Sequence, residues 1–313
     1  MPSSTRRAFL SQTLSATAAL GLITSTRRAG AIPPIGRTRP SHLKLSVAAY
    51  SYRQYLTSKP PTMDLFGFVD LAADMGLDAV EPTSYYFPAN VDEAYLGRLK
   101  LHAFKLGLDI SGTAVGNNFC KPPGADREKE IAHVRRWIDL AAALDAPVIR
   151  VFAGTAPKGV ETERAAAWAV ESMNAVLPHA AEKGVMLALE NHGGITTRPE
   201  QLLALVKAID SPFFGVNLDT GNFRGADPYA EMAALAPYAV NVQVKTEITR
   251  LGHPKEDADL SREIEILRAA QYSGYVVLEY EAKEDPMIAI PRHVKTLREL
   301  LSASGTAKSA AAP

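Results

Sequence analysis

Short apolar, β-branched runs alternate with amphipathic helical patterns along most of the chain. The runs predict strands at 44–50, 78–82, 108–115, 147–153, 185–190, 214–219, 239–245 and 275–281. The patterns between them predict helices at 63–75, 91–106, 126–144, 161–183, 199–209, 227–236, 259–272 and 287–301. Glycine stands before four of the strands, in MGLDAV, LGLDI, KGVML and SGYVV, where a helix C-terminus commonly needs it.

The number of strand-helix units favours a closed barrel over an open sheet. Eight units are what an α/β protein of the (β/α)8, or TIM barrel, type requires. The alternative is a doubly wound open sheet, but the first βα turn lacks the G-x-G-x-x-G of the nucleotide-binding form. We therefore predict a single-domain barrel over 43–301, after a Pro-rich linker at 32–42 and before a disordered, low-complexity tail at 302–313.

Polar residues share one parity on the later strands. In VNVQVKTE, residues 240–247, three valines alternate with Asn, Gln and Lys. Both faces of a barrel strand are covered, by helices outside and by other strands inside, so the polar parity must face the barrel axis. The same alternation places Glu190, Asp219, Gln243 and Glu279 at the carboxyl ends of four successive strands, where barrels hold their active sites.

Three carboxylates that converge in a buried site require either raised pKa values or a cation. Oxygen ligands without cysteine favour one hard or borderline divalent ion, with Mn²⁺ as the first choice and Mg²⁺ or Co²⁺ as alternatives. The predicted ligands are Glu190, Asp219, Gln243 and Glu279. A single Glu at a strand end is more often the partner of a loop cation, so the prediction depends on all four positions together.

The segments ALENHGG, NLDTGN, VNVQVK and GYVVLEYE resemble the xylose-isomerase-like superfamily of sugar phosphate isomerases and epimerases. The resemblance covers 43–301 and implies that the four predicted ligands bind one divalent metal. It also implies that Glu190 and Glu279 act as catalytic acid and base. The common motif has His where this chain has Gln243; hydroxypyruvate isomerases of the superfamily are similar to this chain in having Gln there, with Arg seven residues later, as Arg250 is here.

The activity that the resemblance implies is isomerisation or epimerisation of a small sugar or keto-sugar through an enediolate. One Glu removes a proton beside the metal-chelated carbonyl and the other returns it. A keto-sugar hydratase, dehydratase or lyase with the same metal site is the alternative, as is a non-catalytic exported sugar-binding barrel. The endonuclease branch of the superfamily needs a His-rich zinc site and a basic face, which this sequence does not offer.

Five further residues are candidates for contact with the substrate. Arg150 points inward on the fourth strand, so a carboxylate or the substrate must meet it, and His192 shares the parity of Glu190. Glu81 ends the second strand and has an ion pair with Arg150 or Lys245 as its alternative role. The full set of candidates is Glu81, Arg150, His192, Lys245 and Arg250.

The first 31 residues resemble a twin-arginine export signal, with Arg6, Arg7, an apolar segment and Ala29-Gly30-Ala31 as a cleavage site. They predict a periplasmic or secreted protein that has no membrane segment after cleavage. The signal contains four Arg and no acid, so the 34 basic and 34 acidic residues become 30 against 34, a net charge of −4. This charge argues against a nucleic-acid partner. The sequence neither predicts nor excludes a homo-oligomer.

Overall fold

The computed structural model describes residues 32–303, so the predicted export signal and nearly all of the predicted tail lie outside the described residues. The barrel strands are β1 (Leu43–Ala48), β2 (Ala79–Glu81), β3 (Asp109–Ile110 and Thr113–Ala114), β4 (Val148–Val151), β5 (Met186–Glu190), β6 (Phe214–Asp219), β7 (Ala239–Val244) and β8 (Gly274–Leu278). The helices that follow them are α1 (Leu65–Asp74), α2 (Glu93–Lys105), α3 (Ala125–Ala143), α4 (Thr162–Lys183), α5 (Pro199–Lys207), α6 (Pro228–Leu235), α7 (Leu260–Ala269) and α8 (Pro286–Ser302).

All eight strands pair in parallel, and β8 pairs with both β1 and β7. The ring closes through β3, whose first part pairs with β2 and whose second part pairs with β4. Between the two parts, a Cβ atom on Gly112 would lie 2.8 Å from Val148 Cγ1, so the close approach requires glycine. The predicted (β/α)8 barrel, a single domain, is confirmed.

Three local features differ from the predicted elements. The third strand is interrupted at residues 111 and 112, and an antiparallel hairpin of Glu247–Thr249 with Lys255–Asp257 follows β7. The last strand ends at Leu278 instead of residue 281. There Ser51 replaces a strand neighbour, because its Oγ donates to the Leu278 carbonyl at 3.1 Å and accepts from the Tyr280 amide at 2.9 Å.

A register shift between β6 and β7 aligns the inward-facing polar residues. One extra residue, Val240, lies between the pairs Val216 with Ala239 and Asn217 with Asn241. Gly215 makes room for it, since a Cβ atom there would lie 2.5 Å from Val240 Cγ1. Beyond the shift, the two strands carry their polar side chains side by side into the barrel.

The outward faces of the strands and the inner faces of the helices form one apolar core. The outward parity of the strands is buried against the helices, with the β7 valines 242 and 244 fully covered. Within residues 32–303, no helix combines the length and the apolar character that a bilayer crossing needs.

Candidate functional site

Four buried side chains from β2, β6 and β7 form a hydrogen-bonded network inside the barrel, which we call the floor network. Glu81 accepts from Gln243 Nε2 at 2.6 Å and from Asn241 Nδ2 at 2.8 Å. Asn241 Nδ2 also donates to Asn217 Oδ1, and Asn217 Nδ2 donates to Gln243 Oε1, both at 2.8 Å. Every member therefore has a partner.

In the floor network, the partners of Glu81 are the neutral side chains of Asn241 and Gln243. The alternative role of Glu81, an ion pair with Arg150 or Lys245, is not seen: its carboxylate oxygens accept from the amide groups of Asn241 and Gln243 instead. The predicted contact of Glu81 with the substrate stays a prediction. Burial, and then the charge of Glu279, raise the pKa of Glu81 to about 7, although the two amide donors oppose the shift. The parity of VNVQVKTE gave the inward direction of these residues correctly.

Lys245 follows β7 and lies among three carboxylates, which together form the lysine cluster. Its Nζ lies 2.5 Å from Glu279 Oε2, 3.0 Å from Glu281 Oε1 and 3.2 Å from Asp219 Oδ2. Burial alone would lower the pKa of Lys245, but the three acids together raise it well above its ordinary value. The ammonium group is therefore a permanent positive charge at the carboxyl end of the barrel.

The backbone of Asp219 is held by Asn191, and its two side-chain oxygens have different partners. The Asn191 side chain accepts from the Asp219 amide at 2.9 Å and donates to its carbonyl at 2.8 Å, which fixes the backbone. Oδ1 accepts from the Gly221 amide at 2.9 Å, whereas buried Oδ2 has no hydrogen bond. Burial raises the pKa of Asp219 to about 8 despite the nearby Lys245.

On the neighbouring strands, Arg150 and Glu190 form a buried pair. Arg150 Nε lies 2.9 Å from Glu190 Oε2, and its Nη1 donates to the Val115 carbonyl at 2.9 Å. Asn222 Nδ2 donates to the other Glu190 oxygen at 3.0 Å. Burial raises the pKa of Glu190 to about 7, with Arg150 opposing the shift. Of the two predicted partners of Arg150, a carboxylate or the substrate, the structure shows the carboxylate, which is Glu190.

An aromatic ring separates Arg150 from His192. The Arg150 guanidinium lies 4.0 Å from the centroid of Phe152, and the Phe152 and His192 rings lie 4.2 Å apart. Asn117 fixes Phe152 by two hydrogen bonds of 2.8 Å to its backbone. Burial and the Arg150 charge lower the pKa of His192, so the ring is neutral at physiological pH.

A cavity of about 170 Å³ opens beside this stack, lined by Asn117, Asn118, Phe152, His192 and Thr196 among others. Its walls carry amide, hydroxyl and imidazole groups, which suit the hydroxyl groups of a small polar ligand. A groove of about 690 Å³, lined mainly by the hairpin, α7 and α8, contains none of the predicted metal ligands. The smaller cavity contains His192, and Phe152 in its wall contacts Arg150, so we place the candidate binding site at this cavity and the adjoining carboxylates.

The residues of the barrel mouth have the charge and the donor chemistry that a divalent ion needs. Five buried or half-buried acids lie beside two buried bases, and within residues 32–303 Asp219 Oδ2 has the 3.2 Å ion pair with Lys245 as its one polar contact. The acids are Glu81, Glu190, Asp219, Glu279 and Glu281, and the bases are Arg150 and Lys245. As they stand, no three His, Cys, Asp or Glu side chains within residues 32–303 surround a metal position. The donor set fits the ion, with the Lys245 ammonium now between two of its members.

The structure brings most of the predicted site residues together. Glu190, Asp219, Gln243, Glu279 and Lys245 all lie inside the barrel mouth with Arg150 and His192. Arg250 is apart from them: it lies in the hairpin, 43% exposed, with its Nε 2.9 Å from Glu256 Oε1.

Sequence reasoning missed the roles of four residues, Phe152, Asn191, Asn222 and Glu281. Glu281 shares the parity of Glu279, so the sequence contained a signal for it. The two asparagines and Phe152 lie in or beside βα loops, whose conformation the strand pattern does not define.

Comparison with known proteins adds to the geometry. A family model described as xylose isomerase-like TIM barrel matches residues 69–300. A 3-oxo-isoapionate decarboxylase from Pectobacterium atrosepticum is 26% identical over 208 residues, which cover 65% of this chain and 68% of that protein. A C-glycoside deglycosidase alpha subunit from Arthrobacter globiformis is also 26% identical, over 51% of this chain but only 38% of that protein.

Among solved structures, D-psicose 3-epimerase from Clostridium cellulolyticum H10, determined with D-tagatose, has the same barrel. The TM-score is 0.66 at 17% sequence identity, with 84% of this chain and 93% of that chain covered. At that identity the likeness concerns the fold alone.

Proposed function

The chain belongs to the xylose isomerase-like TIM barrel family, and on that premise we propose that it is an enzyme that moves protons beside the carbonyl group of a small sugar or keto-sugar. The family alone does not define the reaction. The proposal depends on the chemistry of the barrel mouth.

The observation that supports the proposal most strongly is a pair of buried glutamates, each in an ion pair with a different cationic side chain. Glu190 pairs with Arg150 and Glu279 with Lys245, three strand positions apart around the ring. Their environments therefore differ, which is what an acid and a base acting in turn require. The pKa of Glu190, raised to about 7, suits proton transfer near neutral pH.

Other polar groups of the mouth would bind and orient the substrate. The cavity beside Phe152 and neutral His192 offers hydrogen bonds for hydroxyl groups. Lys245 and Arg150, each beside one of the two glutamates, would stabilise the negative charge that the substrate's carbonyl oxygen gains as the neighbouring proton leaves. Glu279 and Glu190 then remove and return the proton.

We further propose that the ligands of one divalent ion, Mn²⁺ as first choice, are Glu190, Asp219, Gln243 and Glu279. Such an ion would polarise the carbonyl and acidify the neighbouring C–H bond. Gln243 Nε2 is committed to Glu81, so its amide oxygen is the atom left for a cation, with one lone pair already taken by Asn217.

Isomerisation or epimerisation is our first choice of reaction, and a lyase is the second. The second choice is favoured by the relative named as a 3-oxo-isoapionate decarboxylase. Loss of a carboxyl group beside a carbonyl leaves the same kind of enolate as loss of a proton does, so one set of residues can serve both reactions.

Proton NMR in D₂O, with D-psicose, D-tagatose, L-ribulose and 3-oxo sugar acids, tests the proposal. We expect deuterium at the carbon beside the carbonyl with Mn²⁺ present, and its loss in Glu279→Gln. Deuterium with retention of all carbons indicates isomerisation or epimerisation, whereas CO₂ release indicates the lyase. Metal analysis of the purified protein accompanies the assay. No exchange and no carbon loss with any of these substrates, together with no bound metal, would contradict the proposal.

A further inference from the structure

Lys245 occupies oxygens that a metal ion would need. Its Nζ contacts Asp219 Oδ2 and Glu279 Oε2, and these two residues are proposed metal ligands. Asp219 Oδ2 has no other polar partner. Because an ammonium and a divalent ion cannot both sit between the same two carboxylates, binding of the ion requires Lys245 to leave them.

The third contact of Lys245 gives the ammonium another partner. Glu281 Oε1 lies 3.0 Å from Nζ, and its side chain is 36% exposed, whereas those of Asp219 and Glu279 are almost fully buried. Glu281 is not among the proposed ligands. It can therefore keep its contact with the ammonium while the other two carboxylates turn to the ion.

The backbone that carries Glu281 is held in place. Arg53 Nη1 donates to the Tyr280 carbonyl at 3.0 Å and Nη2 to the Glu281 carbonyl at 3.3 Å, and Ser51 Oγ accepts from the Tyr280 amide at 2.9 Å. These contacts are independent of the lysine cluster. Glu281 thus stays within reach of Lys245 whichever cation the cluster holds.

We propose that Lys245 is the resident counter-ion of the metal-free site and that Glu281 is the residue that receives its ammonium group when a divalent ion binds. This inference rests on the proposed function, since it requires the metal site. Both residues are positioning residues for the metal. Lys245 competes with the ion, and Glu281 makes that competition reversible.

Two substitutions separate the roles because they have opposite effects on metal affinity. Lys245→Met removes the competitor, so we expect Mn²⁺ to bind at least about tenfold more tightly. The same change leaves three carboxylates without their cation, so the metal-free variant should melt about 6 °C or more below wild type. Glu281→Gln removes the alternative partner, so Mn²⁺ should bind about threefold more weakly or worse.

The experiment is isothermal titration of EDTA-stripped, full-length protein with MnCl₂ at constant pH, together with thermal unfolding with and without the ion. Lys100→Met is the matched control, because Lys100 lies on α2, 41% exposed, 3.0 Å from Asp145 Oδ2 and away from the barrel mouth. It should change neither the Mn²⁺ affinity nor the melting temperature. Should Lys245→Met fold too poorly to titrate, weaker Mn²⁺ binding by Glu281→Gln would still support the inference. Unchanged Mn²⁺ binding by Glu281→Gln would contradict it.

Three outcomes are informative. Opposite shifts of Mn²⁺ affinity in Lys245→Met and Glu281→Gln support the inference. If wild type binds Mn²⁺ and Lys245→Met binds it equally or more weakly, the inference fails while the proposed metal site stands. If neither wild type nor any variant binds Mn²⁺, Mg²⁺ or Co²⁺, the proposed metal site fails, and the inference falls with it.

Discussion

The floor network and the lysine cluster use residues of the same strand parity and differ in how far their charges are satisfied. In the floor network one carboxylate, Glu81, meets two amide groups, and each polar atom named has a partner. In the lysine cluster three carboxylates share one ammonium, and an oxygen of Asp219 has no hydrogen bond. A saturated network stabilises a fold, whereas an unsaturated one is suited to binding and chemistry.

The largest effect that the comparison predicts is on turnover. Glu279→Gln should reduce the exchange of substrate protons with D₂O by about 10³-fold, because it removes a proposed base. The melting temperature should stay within about 2 °C or rise, since the cluster holds more acids than bases. Glu265→Gln, an exposed change on α7, is the control for both measurements. A large loss of stability without loss of exchange would mean that Glu279 stabilises the fold and does not take part in the reaction.

The floor network should show the opposite behaviour. Glu81→Leu leaves the amide groups of Asn241 and Gln243 without their acceptor, which should lower the free energy of unfolding by about 3 kcal/mol. Urea titration measures this loss, and calorimetric titration should find Mn²⁺ still bound. Unchanged stability combined with lost metal binding would show that Glu81 belongs with the metal ligands instead.

The raised pKa values predict how the stability of metal-free protein depends on pH. Glu81 and Glu190, with pKa values of about 7, and Asp219, at about 8, hold protons in the folded state that ordinary carboxyl groups of the unfolded chain, with pKa values near 4, have lost. The free energy of unfolding should therefore fall as the pH rises from about 5 to 8, by about 1.4 kcal/mol per pH unit for each group that keeps its proton. Added Mn²⁺ should reduce the fall by replacing protons.

Urea unfolding at a series of pH values, with and without Mn²⁺, gives this slope directly. Glu81→Leu should have a shallower slope than wild type, because it lacks one of the three groups. A free energy of unfolding that stays constant over the same pH range would mean that these carboxyl groups are ionised throughout in the folded protein as well.

Gln243 is where the two regions meet, since it neighbours Asp219 across the β6 and β7 ladder and also belongs to the floor network. If its amide oxygen contributes to the metal site, Gln243→Ala should weaken Mn²⁺ binding about tenfold, about 1.4 kcal/mol, and Gln243→His should preserve or tighten it. Titration calorimetry of the two variants compares them with wild type. Equal Mn²⁺ affinity in Gln243→Ala would confine the residue to the floor network.

The sequence predicted the fold well because each part of it is encoded locally. Hydrophobic periodicity gave eight strands and eight helices, and parity gave the inward direction of Gln243 and Lys245. Parity does not say which inward residues pair with one another. The partners of Glu81 and the position of Lys245 between Asp219 and Glu279 depend on side-chain reach across the barrel, which a one-dimensional pattern does not contain.

Loop geometry was the second feature that the sequence pattern could not predict. The interruption of β3 at Gly112 and the contact of Phe152 with His192 arise from segments far apart in sequence. Ser51, about 230 residues from Tyr280, ends the last strand by hydrogen bonding. Such contacts have no periodic signature along the chain.

The smallest predicted effect concerns Arg250, which tests whether the hairpin belongs to the active mouth. Its ion pair with Glu256 is about half exposed, so Arg250→Ala should change the free energy of unfolding by less than about 0.5 kcal/mol. KM for the best substrate should change less than about twofold, with Arg262→Ala as the control, because Arg262 pairs with Asp227 outside the barrel mouth. A tenfold rise in KM for Arg250→Ala alone would mean that the hairpin closes over bound substrate, and would extend the site from the lysine cluster to the hairpin.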